Sequence, residues 1–253
     1  MNKYLKNLNK IEFVVTYACT GRCKHCSEGD HKTVGEGIDP IFAADAVKAV
    51  CGLYPIQTVM TFGGEPLLHR SAVYAIHRAA RDMDVPKRQL ITNGYFSNDE
   101  DCIAEVAALL AESGVNDVRL SVDAFHQETI PLVPVMVFAH ALYKRGVPVY
   151  TQPAWLVSPD ADNPYNTKTR EILAKFYAMD IAQGGGNVIF PQGNALIYLK
   201  DYFKNAQTVN PYEEDPFDVK TISVEPDGAT LGGNICTQDI REIITAYNPE
   251  KTV

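Results

Sequence analysis

Short apolar runs rich in β-branched residues recur along the chain at 11–16, 58–62, 89–92, 117–122, 147–152 and 187–190, each bounded by polar or glycine-bearing stretches. Continuous apolar runs of this length read as buried strands. Between them lie segments with helical spacing and recognisable ends. Asp39 before Pro40 predicts a helix start, Ser97 with Glu100 three residues on has the form of a capping box, and Gly114 and Gly146 stand where helices should stop. From the second run to the fifth, successive starts lie roughly thirty residues apart, the length of one strand–helix–strand step with a right-handed crossover. The pattern predicts an α/β fold of six parallel strands, either a partial (β/α)6 relative of the TIM barrel or a doubly wound sheet. Both gather ligands at the C-terminal ends of the strands.

Beyond the last run the pattern changes. Residues 205–218 are polar, acidic and proline-containing and read as a loop leaving the barrel, as a lid or a solvated connector. Residues 221–231 read as a β-hairpin turning at Pro226, Asp227 and Gly228, followed by 233–235 and a helix through about Ala246. The expected organisation is a core at 1–204 and a small hairpin-plus-helix cap at 205–253.

Composition narrows the functions. A chain of 253 residues, 46% hydrophobic, can bury one large core. Its 23 basic against 31 acidic residues leave a net charge of -8, which argues against a broad nucleic-acid groove. The N-terminal apolar run is broken by Glu12 and is too short for a secretory signal, and no stretch approaches a membrane span. Three of the six cysteines crowd into 19–26 while Cys51, Cys102 and Cys236 stand apart, unlike a secreted disulfide framework. A reducing cytoplasm is the expected compartment, and Cys51 and Cys102, in apolar helical surroundings, read as packing residues.

The chemistry sits at the strand ends. After the first strand, Cys19, Cys23 and Cys26 share a loop with Gly21 that can wrap one metal centre. Thiolates suit zinc or an iron–sulfur cluster, and three of them leave one coordination position open. On spacing alone a zinc site completed by His25 or His31 remains a reading. After the second strand comes Phe62-Gly63-Gly64-Glu65-Pro66, where two residues without side chains let backbone groups approach a ligand beside a carboxylate.

Together the Cys19-x3-Cys23-x2-Cys26 loop and the Gly63-Gly64-Glu65-Pro66 turn resemble the radical SAM superfamily, over about residues 11–200. The resemblance implies a 4Fe-4S cluster on Cys19, Cys23 and Cys26, whose fourth iron chelates S-adenosylmethionine and splits it to a 5′-deoxyadenosyl radical. It places the backbone of Gly63, Gly64 and Glu65 on the methionine amino group. Thr92-Asn93-Gly94 resembles the family's third-strand element, though such a triplet also serves as a plain turn. Ser121 and Asp123 fall where polar residues meet the carboxylate and ribose, and Gln152 where the family often sets a polar side chain. His25 replaces the usual aromatic before the third cysteine; its planar ring can stack on adenine, hydrogen-bond or titrate. A flavodoxin- or ferredoxin-type electron donor also follows.

Asp123 and His126 can face the substrate as proton-transfer or orienting groups, or cap the start of a helix. The C-terminal segment resembles the beginning of a SPASM or twitch extension stripped of its auxiliary-cluster cysteines. Cys236 alone remains, as a hydrogen-atom donor or an unexceptional small residue. That cap tilts the substrate toward a peptide or protein, with small molecules open, and leaves epimerisation, crosslinking and oxidation undistinguished. Two rival functions are a barrel hydrolase pairing Glu65 with Asp123, and a zinc-binding module.

Overall fold

The apolar runs assemble one seven-stranded sheet in the computed structural model, which describes residues 2–203 and 210–251. Its strands are β1 (Lys10–Val14), β2 (Thr58–Phe62), β3 (Lys87–Thr92), β4 (Asp117–Leu120), β5 (Val149–Thr151), β7 (Ala182–Gln183) and β9 (Thr221–Val224). The order is β7-β5-β4-β3-β2-β1-β9, and every pairing is parallel. Helices α1 (Pro40–Cys51), α2 (Arg70–Asp82), α3 (Glu100–Glu112) and α4 (Leu132–Lys144) make the crossovers. The parallel α/β architecture is the one expected.

Helix ends follow local chemistry. Asp39 caps α1 by accepting from the amides of Ile41 and Phe42. Gly114 and Gly146 take φ of 85° and 70° two residues past the ends of α3 and α4, a conformation that favours glycine. The expected capping box at Ser97 is corrected: Asp99 is the cap of α3 and accepts from Asp101 and Cys102, while Ser97 Oγ accepts from the Asp99 amide. A carboxylate two residues nearer the helix wins over the hydroxyl.

Alternation gives the sheet two faces. Ile11, Phe13, Val59, Leu90, Val118, Leu120 and Val149 are buried in one core cluster with the helices, each contributing roughly 1.5–3 kcal/mol when fully buried. Residues of opposite parity, Glu12, Met60, Gln89, Asp117, Arg119 and Tyr150, therefore project from the inner face.

The C-terminal third differs from expectation in two places. Residues 187–190 do not form the sixth strand of the sheet; β7 does, and β8 (Asn187–Val188) pairs with β6 (Ala154–Trp155) in a separate two-stranded sheet. Gly184 binds the Thr151 carbonyl through its amide and Gly186 takes φ 72°, so the chain turns off the sheet before the apolar residues arrive. The turn at Pro226–Gly228 exists, closed by bonds between Glu225 and both Gly228 and Ala229. Its first strand, however, pairs with β1, and β10 (Ala229–Thr230) pairs with β11 (Gly233–Asn234). Ile222 and Val224 are wholly buried, which ties β9 to the main core. The expected 204/205 boundary, and the first residues of the expected loop, lie outside the described residues. α5 (Pro164–Tyr177), α6 (Asn194–Tyr198) and α7 (Ile240–Ala246) complete the chain, and no described helix is long and apolar enough to cross a membrane.

Candidate active site

The loop after β1 is held open around its thiols. Cys19 and Cys23 are buried and Cys26 is half-buried. A Cβ on Gly21 would lie 3.3 Å from Cys23 Sγ and 3.7 Å from Cys19 Sγ, so the missing side chain leaves a hollow between the two sulfurs. Asn93 Nδ2 donates to Cys19 Sγ at 3.5 Å. His31 Nδ1–H donates to the Tyr17 carbonyl at 2.8 Å, which leaves its Nε2, 3.2 Å from Cys26 Sγ, as the acceptor for that thiol. Burial pushes the Cys19 thiol up to about 11 and raises Cys23 and Cys26 as well. Thiols so placed ionise when a metal replaces their protons.

Their spread separates the metal readings. Tetrahedral zinc, with Zn–S near 2.3 Å, gathers its sulfurs to about 3.8 Å apart. Among the described residues the only three Cys, His, Asp or Glu ligand atoms within 4.8 Å of one another belong to Cys23, His25 and His126. Cys19 and Cys26 stand outside that group, so among the described residues the three thiols are not gathered with His25 or His31 into one four-ligand set. Corners of an iron–sulfur cube suit the wider arrangement.

The second and third strand ends brace this loop. Gly64 N donates to the Thr16 carbonyl at 2.8 Å and Glu65 N to the Ala18 carbonyl at 2.7 Å. A Cβ on Gly63 or Gly64 would fall 2.5 Å from Thr16 O or 2.1 Å from Ala18 O. The glycines therefore admit the neighbouring backbone, a reason the ligand-approach reading missed. Their carbonyls accept from no described residue outside the ladders, and free acceptors suit an ammonium group. Glu65 is wholly buried and its carboxylate joins two loops: it accepts from Leu67 N at 2.9 Å, Thr92 Oγ1 at 2.7 Å and Asn93 N at 2.8 Å. Burial pushes its carboxyl up to about 7 against these bonds.

The fourth and fifth strand ends present Ser121 and Gln152. Ser121 N donates to the Thr92 carbonyl at 2.8 Å, and its hydroxyl engages no described residue. Gln152 follows β5, its amide on the Leu120 carbonyl at 2.7 Å and its Nε2 a long 3.4 Å from Asn187 Oδ1. Asp123 is different. It is wholly buried, and its oxygens accept from Phe125 N, His126 N and Ala154 N at 2.9 Å each and bind His126 Nδ1 at 2.8 Å. Burial pushes its carboxyl up, but the charge and hydrogen bonds of His126 outweigh it and hold the group well below the usual range. It acts as the cap of a turn and the orienter of His126. His25 packs at 5.1 Å from Phe125 and 4.8 Å from His126, its Nδ1 buried without a partner; burial, with His126 nearby, lowers its pKa to about 4.

These placements remove the paired-carboxylate hydrolase, since Glu65 and Asp123 are both sealed from solvent and bonded throughout. Cys236 lies beside the turn that follows β9, its thiol donating to the Asp227 carbonyl at 3.7 Å. It lines a cavity of about 620 Å³ with Phe42, Ala46 and Ala49 of α1, on the helix side of the sheet. Sequence reasoning missed Asn194, which is buried and donates through its amide to the Cys26 carbonyl at 2.9 Å and through Nδ2 to the Cys23 carbonyl at 3.3 Å. It also missed Arg22, whose Nη1 holds the Cys19 carbonyl at 2.7 Å. The glycine at 193, with φ 54° and room only for the Cys26 and Ser27 carbonyls, was the one local signal.

Thiols spread for a multi-iron centre, with donor-free carbonyls on the adjoining strand end, mark an iron–sulfur enzyme on a parallel β/α scaffold. The chain belongs to the radical SAM superfamily, whose family model matches residues 13–151, more than half its length. Its cofactors are accordingly a 4Fe-4S cluster and S-adenosylmethionine. Curated relatives include the GTP 3′,8-cyclase of Desulforamulus reducens, 27% identical over 131 residues covering 51% of this chain and 38% of that one. That of Chlorobaculum tepidum is 24% identical over 127 residues, 50% and 36% of the two chains. The chain thus spans little more than a third of these relatives. Among solved structures, Streptococcus suis SuiB bound to S-adenosylmethionine aligns with TM-score 0.61 at 11% identity, over 97% of this chain and 67% of that one. Native anSMEcpe with bound AdoMet gives 0.58 at 15%, over 97% and 82%. BtrN in complex with AdoMet and 2-DOIA gives 0.55 at 15%, over 98% and 85%. These likenesses carry the fold.

Proposed function

We propose that this enzyme starts radical chemistry on a peptide or protein, using one cluster. The bound cluster and S-adenosylmethionine supply reductive cleavage to a 5′-deoxyadenosyl radical that abstracts hydrogen from the substrate. Cys19, Cys23 and Cys26 hold the cluster, Asn93, Asn194 and Arg22 fix their loop, and the carbonyls of Gly63 and Gly64 take the methionine amino group. Ser121 and Gln152 face its carboxylate and ribose, Thr92 and Glu65 lock the two strand ends, and Asp123 fixes His126 beside His25. β9 completes the sheet, and residues 225–251 form a cap whose lone cysteine is Cys236. A flavodoxin- or ferredoxin-type donor in the cytoplasm provides the electron.

The observation that carries the substrate class is the charge of the sheet's inner face. Its strand positions hold Lys10 paired with Glu12, and Lys87 and Arg119 both on Asp117, three cations against two carboxylates. One spare positive charge suits a peptide group and is poor company for a triphosphate of about four negative charges. Support also comes from SuiB and anSMEcpe, whose structures include complexes with the precursor peptide SuiA and the Cp18Cys peptide and whose fold likeness runs the length of this chain. The sequence match to the GTP 3′,8-cyclase of Desulforamulus reducens covers 51% of it. A small molecule is the second reading, favoured by BtrN with 2-DOIA. The test supplies the reduced, reconstituted enzyme with S-adenosylmethionine and either GTP or a tryptic peptide pool. Peptides altered in mass, with 5′-deoxyadenosine released above background, are expected; conversion of GTP instead would overturn the reading.

A further inference from the structure

Two polar pairs stand one above the other on the inner face of β4 and β5, and the functional reading uses only the upper one, Ser121 and Gln152. The lower pair is Arg119 and Tyr150, direct partners in the β4–β5 register. Residues two apart on a strand face the same way and lie about 7 Å apart. Val118, Leu120 and Val149 fill the core on the helix side, so Arg119 and Tyr150 point away from it. The interior of a parallel barrel is ordinarily packed with branched aliphatic side chains. Here a guanidinium occupies it.

That guanidinium is held on two sides. Its Nε and Nη2 lie 2.8 and 3.3 Å from the two oxygens of buried Asp117, which also takes Lys87 Nζ at 3.0 Å and Gln89 Nε2 at 2.7 Å. Its Cζ sits 4.6 Å over the Tyr150 ring. Nη1 donates to no described residue, and the Tyr150 hydroxyl likewise has no described partner. A Cβ on residue 184 would stand 3.2 Å from Nη1 and 2.8 Å from Gln152 Oε1; Gly184 leaves that space clear. A fork fixed at its root and face, with one edge open, loses little entropy on gripping an oxyanion.

We infer that Arg119, seated on Tyr150, anchors a single carboxylate of the substrate, an acidic side chain or C-terminus of a peptide, about 7 Å below the Ser121–Gln152 layer. The single spare charge of the inner face selects a carboxylate over a polyphosphate. The inference rests on the placement of S-adenosylmethionine at Ser121 and Gln152.

The test is equilibrium dialysis of the anaerobic, cluster-loaded protein with S-adenosylmethionine present, using two matched probe pairs: acetyl-Gly-Glu-Gly-amide against its Gln counterpart, and GTP against guanosine. The Glu peptide should bind at least about fivefold more tightly than the Gln peptide, with Arg119→Gln abolishing the preference and Arg119→Lys restoring part of it. Lys168→Gln, which removes a positive charge from the exposed surface of α5, should keep it. No preference in the native protein, or one that survives Arg119→Gln, overturns the anchor; so does a preference for GTP over guanosine that depends on Arg119, which would make the ligand a phosphate. Iron and bound S-adenosylmethionine are measured on the same samples. A failed preference on fully loaded protein overturns the anchor alone, whereas absent iron or absent S-adenosylmethionine overturns the reading beneath it and the anchor with it.

Discussion

Replacing Gly64 by Ala tests whether the second strand end exists to hold up the first. The new Cβ would lie 2.1 Å from the Ala18 carbonyl oxygen, 2.7 Å from its carbon and 2.9 Å from the Tyr17 oxygen, all backbone atoms. Relief to an ordinary carbon–oxygen contact of roughly 3.3 Å requires a backbone shift of about 1.2 Å in the segment leading into Cys19. That shift breaks the bonds from Gly64 N to Thr16 O and from Glu65 N to Ala18 O. Overpacking and two lost bonds together cost roughly 2–6 kcal/mol. Metal–ligand distances tolerate only about 0.2 Å, so the displaced Cys19 should leave the variant with a small fraction of native iron and sulfide after anaerobic reconstitution, and little 5′-deoxyadenosine. Gly185→Ala, where the added methyl meets nothing within 4 Å, should load as the native protein does. A Gly64→Ala protein with full iron and native cleavage would refute the coupling between the two loops.

Three further substitutions probe the supports. The Glu65 carboxyl, raised from 4.5 to about 7 by burial, keeps its proton in the folded chain over a range where the unfolded chain has released it. The stability this group contributes is therefore fully present below about 4.5 and lost as pH rises through 7, by up to about 3 kcal/mol; Glu65→Gln should flatten that part of the slope in urea midpoints at pH 5 and 8, and an unchanged slope would contradict the assignment. Asn194→Ala withdraws the side-chain bonds to Cys23 O and Asp30, so it should cost about 1–2 kcal/mol and speed cluster loss to a chelator; native loss rates would count against the brace. Asp123→Asn turns an amide toward a set of donors, and a thermal midpoint lower by several degrees is expected. No change would mean that the turn at 123–126 does not depend on this carboxylate.

What could be read in advance was local. Cys19, Cys23 and Cys26, the Gly63-Gly64-Glu65 turn and the Thr92-Asn93 pair each follow a strand by a few residues, so spacing alone put them at one end of the sheet. Asp99 was displaced by Ser97 because the two caps differ by a single step, and only the geometry of the Asp101 and Cys102 amides decides between them. The strand at Thr221–Val224 was recognised, but its partner β1 lies more than two hundred residues away. No local turn encodes a parallel pairing at that separation. Asn194 carries no motif at all and acts only through contacts made by the fold. Arg119 and Tyr150 looked like ordinary strand residues; their meaning lies in the β4–β5 register and in the bare backbone of Gly184.

Cys19, Cys23 and Cys26 are proposed to carry the four-iron cluster at which S-adenosylmethionine is cleaved. The direct measurement is iron and acid-labile sulfide per chain after anaerobic reconstitution, followed by dithionite, S-adenosylmethionine and quantification of 5′-deoxyadenosine, for the native protein and for Cys19→Ala, Cys23→Ala, Cys26→Ala and Cys51→Ala. About four irons and four sulfides per chain, with nucleoside release, are expected. Each of the first three variants should lose both signals, and Cys51→Ala, packed beside the core at the end of α1, should keep both. A chain that takes up one zinc in place of iron and releases no nucleoside would contradict that proposal.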